Sequence, residues 1–143
     1  MPEEAGDVPI LTLLRRDPIV LPPTATVREA IEKMAEANVG SVIIVDEDMK
    51  PIGIFTERDL LVKVCARGLD PASVRLEEVM TRNPMVVRES ETAKKALELM
   101  LHFGFRHLPV VDSEGRLVGV VSIRDVSQPF AGEVDIEELH SAG

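Results

Sequence analysis

The sequence contains no tryptophan and no tyrosine, and only four of its 143 residues are phenylalanine. A core made from it must be packed mainly from Val, Ile, Leu, Met and Ala. A single cysteine, Cys65, excludes an intramolecular disulfide. No apolar run approaches the roughly 20 residues that a membrane-spanning helix needs. The first ten residues, MPEEAGDVPI, have neither the basic start nor the apolar stretch of a secretory signal. The expectation is a cytoplasmic protein without a membrane partner. Basic residues are also scarce: 16 Lys and Arg stand against 25 Asp and Glu, a formal charge of −9. That balance argues against non-specific nucleic-acid binding, which relies on clustered cations.

Catalytic and metal signatures are missing too. There is no P-loop and no G-x-G-x-x-G. Ser122 sits in VVSIR, without the following glycine of a hydrolase nucleophile elbow. His102 and His107 lie five apart across an expected helix-to-strand boundary, a poor metal set beside one distant cysteine. Cys65, among Leu61, Val62 and Val64, reads as a core residue. The chain is therefore expected to be non-enzymatic, with no metal site and no catalytic cofactor.

What is present is a folded composition, 45% hydrophobic and 29% charged. The negative charge collects at the ends. Residues 1–14 and 126–143 hold seven acids and no Lys or Arg, leaving −2 for residues 15–125. Screening acts over about 8 Å at physiological salt, so acidic ends need not repel an anion bound elsewhere.

The segments GIFTERD (53–59) and GVVSIRD (119–125) share a glycine, two apolar residues, a hydroxyl residue, an arginine and an aspartate in one spacing. They are 66 residues apart. The same shift carries Pro18-Ile19-Val20 onto Pro84-Met85-Val86, Met34 onto Met100 and Asp46 onto Asp112 without a gap. The chain is an internal repeat. Each copy reads as a short strand after a proline, an amphipathic helix, two short apolar strands joined by a charged turn, and a second helix. Val27, Ala30, Ile31 and Met34 share one helical face, with Thr26 as N-cap and Glu29 three residues on. Ser90 or Thr92 caps the equivalent helix in copy two. The expected organisation is a first repeat over 14–67, a linker over 68–79 containing Gly68 and Pro71, a second repeat over 80–128, and an acidic tail over 129–143. The tail segment EVDIEELH (133–140) reads as a short helix covering a core edge, the alternative being a docking segment for a partner. One copy buries too little surface to be stable alone. Two copies are expected to close each other's apolar faces.

The repeated β-α-β-β-α order, the segments VMTRNP and RHLPVVD, and the phrase G-h-h-[ST]-x-x-D resemble the CBS domain family over roughly residues 14–128. The resemblance implies an α/β fold of two CBS repeats, packed with pseudo-twofold symmetry through their sheets. It also implies a stand-alone regulatory pair that binds AMP, ADP, ATP or S-adenosylmethionine between the copies, associates as a homodimer and acts on a separate effector protein. Magnesium would accompany ATP. The alternative is a ligand-free scaffold for dimerisation or docking.

Physical chemistry supports one part directly. Ser122 lies at a strand-to-helix junction, with Asp125 one helical turn on, so a hydroxyl and a carboxylate share a side. An ionised carboxylate suits a ribose diol, and the unpaired helix N–H groups favour an anion. The bland alternative is a helix cap with a dipole-complementing acid. The shift also turns Gly40-Ser41 into Arg106-His107, a position that the resemblance places near the ligand phosphate, so copy two offers a guanidinium fork there and copy one does not. Combined with the family geometry, the expected main site is Asp17, Pro18, Ile19, Val39 and Gly40 with Arg106, His107, Val121, Ser122, Arg124 and Asp125. Ile19 and Val39 would flank the adenine. A second site would use Ile54, Thr56, Arg58 and Asp59 with Asn83, Pro84, Met85 and Phe105, and the assignment of Arg106 stays open between the two sites.

Overall fold

The computed structural model describes residues 7–14 and 17–130. The first repeat runs β1 (Val20–Leu21), α1 (Val27–Ala37), β2 (Ser41–Val45), β3 (Pro51–Thr56) and α2 (Glu57–Asp59), which continues as a π-helical stretch, Leu60–Cys65. Then come α3 (Leu76–Val79) and β4 (Thr81–Arg82). The second repeat runs β5 (Val87–Arg88), α4 (Ala93–Phe103), β6 (His107–Val111), β7 (Leu117–Ser122) and α5 (Ile123–Ser127).

Local chemistry sets these boundaries. Thr26 Oγ1 accepts from the Glu29 N–H at 3.2 Å, and Thr92 Oγ1 accepts from the Lys95 N–H at 3.2 Å. These two N-caps start α1 and α4. Both helices stop at a left-handed residue, Asn38 with φ 54° and Gly104 with φ 75°. Val27, Ala30 and Met34 are buried on α1, and Ala93, Ala96 and Met100 on α4.

The strands form two sheets, β1-β2-β3-β4 and β5-β6-β7. In each, a short strand runs parallel to the next, which then forms an antiparallel hairpin. Ser41 pairs with Thr56, and His107 with Ser122. Both hairpins carry a bulge at the same point, Ile44/Val45 and Val110/Val111. Ile43, Val45 and Ile54 of one sheet pack with Leu117 and Val120 of the other. The Leu117 N–H donates to the Met49 carbonyl across this seam at 2.9 Å. The expected packing of the halves through their sheets is what the structure has.

Part of the stretch expected to be linker is folded into a core. Leu76, Val79 and Met80 are buried with α1 and the first hairpin. Ile10 and Leu13 are buried with α4 and the second hairpin. The two segments are themselves 66 residues apart. Leu76 N donates to Ala25 O at 2.8 Å, and Ile10 N to Glu91 O at 2.9 Å. Each half is thus completed by a segment lying on the N-terminal side of the other half's strands. Burying a side chain the size of Ile10 or Leu76 contributes about 1.5–3 kcal/mol.

Cys65 departs from expectation: it is exposed. The π-helical stretch bonds i to i+5, which rotates the apolar positions away from α-helical spacing. Val64 is buried there, and Leu61 and Val62 face outward. The segment EVDIEELH lies outside the described residues. Among the described residues, no helix is long and apolar enough to cross a membrane.

Candidate functional site

A cavity of about 760 Å³ opens where the two halves meet. Its second-half wall begins at the junction of β7 and α5. Ser122 ends the strand and caps the helix. Its Oγ accepts from the Asp125 N–H at 3.1 Å, and Asp125 Oδ2 accepts from the Ser122 N–H at 2.9 Å. This reciprocal box fixes the carboxylate at the mouth of a helix too short to hold itself. The bland reading, a cap, is therefore correct in geometry. It consumes only Oδ2: among the described residues nothing pairs with Asp125 Oδ1. The Ile123 N–H donates to the Arg106 carbonyl at 2.8 Å, which holds Arg106 and His107 beside the same junction.

The first-half wall is built by the equivalent bonds. Glu57 N donates to Gly40 O at 3.0 Å, and Ile43 N to Ile19 O at 2.9 Å. These set Val39-Gly40 and the segment Asp17-Pro18-Ile19 against the opening. A methyl group at Gly40 would lie 3.3 Å from Glu57 Oε1 and 3.6 Å from His107 Cε1, so the glycine keeps this floor open.

Ten of the eleven residues expected for the main site line this one cavity: Asp17, Pro18, Ile19, Val39, Gly40, Arg106, His107, Ser122, Arg124 and Asp125. Val121 does not. It is fully buried in the second-half core, and Val120 faces the cavity instead. Alternation along β7 makes this a one-residue error of face. Sequence reasoning also missed Glu57, Asn38, Ser41, Leu13 and Ile123, which share the lining. His107 has its pKa lowered below 6.5, first by burial and further by Arg106, while Glu57 and Asp125 pull it upward.

The residues expected for a second site sit differently. Thr56 and Asp59 form the same capping box, but Asp59 Oδ1 also meets Lys63 Nζ at 3.2 Å. The shift places Pro129 opposite Lys63, so copy two has no such cation. Ile54 is buried in the seam between the sheets. Met85 packs against the second-half core, and exposed Phe105 stacks on Phe103 with ring centroids 6.0 Å apart. Asn83 is exposed at φ 49°, Pro84 is half-buried and Arg58 is exposed. None of these eight residues lines the seam cavity or a smaller, apolar one of about 480 Å³ beside Val20, Pro22 and Ile52.

Two β-α-β-β-α halves joined through their sheets, with a polar cleft at the seam, define a tandem-repeat module. The chain belongs to the CBS domain family, whose model matches residues 5–65 and 76–131. An uncharacterized protein of Methanopyrus kandleri is 43% identical over 114 residues, which is 80% of this chain. The chain spans 58% of that relative's length. A CBS domain protein from Pyrobaculum aerophilum, solved complexed with AMP, is 34% identical with a TM-score of 0.77, covering 82% of this chain and 89% of that one. The CBS domain pair of protein MJ0100, solved with 5′-methylthioadenosine and S-adenosyl-L-methionine, is 30% identical with a TM-score of 0.80, covering 90% and 99%.

Proposed function

We propose that the chain is a regulatory module that binds an adenine nucleotide, AMP, ADP or ATP, in the seam cavity. The carrying observation is Asp125 Oδ1. It is a carboxylate oxygen held in place by its own helix cap, without a partner among the described residues, at the edge of a cavity with two arginines. Such an oxygen accepts from a ribose diol, while Arg106 offers its fork to a 5′ phosphate. Ile19 and Val39 provide apolar walls for a purine. The AMP bound by the Pyrobaculum aerophilum protein supports this ligand class.

One ligand fills each chain, at the seam. The Thr56–Asp59 group is the weaker counterpart, because Lys63 already satisfies the Asp59 oxygen that would face a ligand. Magnesium enters only with ATP. The module performs no reaction of its own and works in the cytoplasm as a homodimer. Occupancy changes how the halves or dimers pack, and a separate effector protein reads that change. The ligand shifts that equilibrium by the difference in its affinity for the two packings.

S-adenosylmethionine is the second reading, favoured by the ligands of the MJ0100 pair. Isothermal calorimetry with AMP, ADP, ATP and S-adenosylmethionine tests the whole proposal. Heat with at least one of them below millimolar concentration is expected. Silence from all four leaves the scaffold reading in its place.

A further inference from the structure

Like Asp17, which falls opposite Asn83, Glu57 is an acid of the cavity that the repeat does not account for. Its equivalent under the 66-residue shift is Ile123, so neither the fold nor the capping box demands a carboxylate there. It is the first residue of α2 and is exposed, and among the described residues no hydrogen bond or ion pair engages its side-chain carboxylate. Its Oε1 borders the open floor above Gly40, on the side where His107 Cε1 also points. The lining contains three acids, Asp17, Glu57 and Asp125, against two arginines, Arg106 and Arg124.

Resting on the nucleotide reading, we infer that Glu57 is a specificity-determining residue that selects against negative charge at the 5′ end of the nucleotide. With the ribose on Asp125 and the base between Ile19 and Val39, the 5′ group emerges beside Arg106 and His107. One guanidinium satisfies one phosphate in fork geometry. Each further phosphate extends the anion into the field of Glu57. Like charges several ångströms apart near a protein surface repel strongly enough to cost roughly tenfold in affinity. The cavity is therefore selective for a nucleoside monophosphate over the di- and triphosphates.

The test is calorimetry of AMP, ADP and ATP in EDTA-containing buffer, with the full chain and with Glu57→Gln and Glu57→Lys. In the unmodified chain, ATP is expected to bind at least about tenfold more weakly than AMP, with ADP between. Glu57→Gln should bring the ATP-to-AMP ratio within about threefold, and Glu57→Lys should invert it. Nucleotide binding with a ratio that neither variant changes overturns the role of Glu57 and leaves the nucleotide reading standing. Absence of heat with every nucleotide overturns both.

Discussion

Asp125 and Asp59 are a matched pair supplied by the repeat. Each carboxylate caps its helix by accepting from the N–H three residues back, at 2.9 Å from Ser122 and 3.0 Å from Thr56. Replacing either by alanine removes a cap, which costs about 0.5–2 kcal/mol of stability. Asp59→Ala also breaks the ion pair with Lys63, whose partners are only 36% and 14% exposed, so its stability loss should be the larger. Nucleotide affinity should behave the opposite way. Asp125→Ala deletes a charged hydrogen-bond partner of the ribose and should weaken binding by about 1–3 kcal/mol, or about 5- to 150-fold. Asp59→Ala should leave it within about twofold. Asp125→Asn keeps an acceptor for the cap and should lose affinity with little loss of stability. Urea melts and calorimetry on the three variants separate the two effects. Equal affinity losses at the two aspartates, or a change below about 0.3 kcal/mol at Asp125, would refute the assignment.

Three further outcomes follow from the packing. Leu76→Ala and Ile10→Ala each empty a fully buried position and should cost about 2–5 kcal/mol by chemical denaturation; losses below 1 kcal/mol would mean that these segments do not complete the cores. Gly53→Ala would place a methyl 2.9 Å from Met80 Cγ, and the overpacking should cost about 1–3 kcal/mol, softened by the flexible thioether. His107 has a pKa lowered by burial from 6.5, so its neutral form is the one the fold prefers. The stability it contributes should be full above pH 6.5 and should fall as pH drops through that value. Comparing melts at pH 7.5 and 5.5 with those of His107→Gln checks this: a pH slope unchanged in the variant would contradict it.

The 66-residue frame made most of the fold readable, because every element of the hairpins and of α1 and α4 recurs at that spacing. The frame also runs through residues 8–14 and 74–80, where it is hard to see. Ile10 and Leu76, Leu13 and Val79, and Leu14 and Met80 correspond, yet Pro9, Leu11 and Thr12 fall opposite Arg75, Glu77 and Glu78. Segments of four residues carry no periodicity that would reveal a buried face. Most of the cavity lining was legible only through the resemblance to the CBS domain family, which sets segments of one copy against the other; the difference between Gly40-Ser41 and Arg106-His107 showed which copy carries the guanidinium. Val121 was misplaced because two adjacent valines give no sign of which faces the core. Glu57 was invisible for another reason: an acid at the first turn of a helix is already explained by the helix dipole. Only its proximity to Gly40 and His107 in space gives it a second role.

A crystal structure of the chain grown with AMP tests the central claim most directly. Both ribose hydroxyls should lie within hydrogen-bond distance of the Asp125 carboxylate, with the phosphate against Arg106 and the base beside Ile19 and Val39. AMP seated at Thr56 and Asp59, or a seam cavity holding only solvent at millimolar AMP, would contradict it.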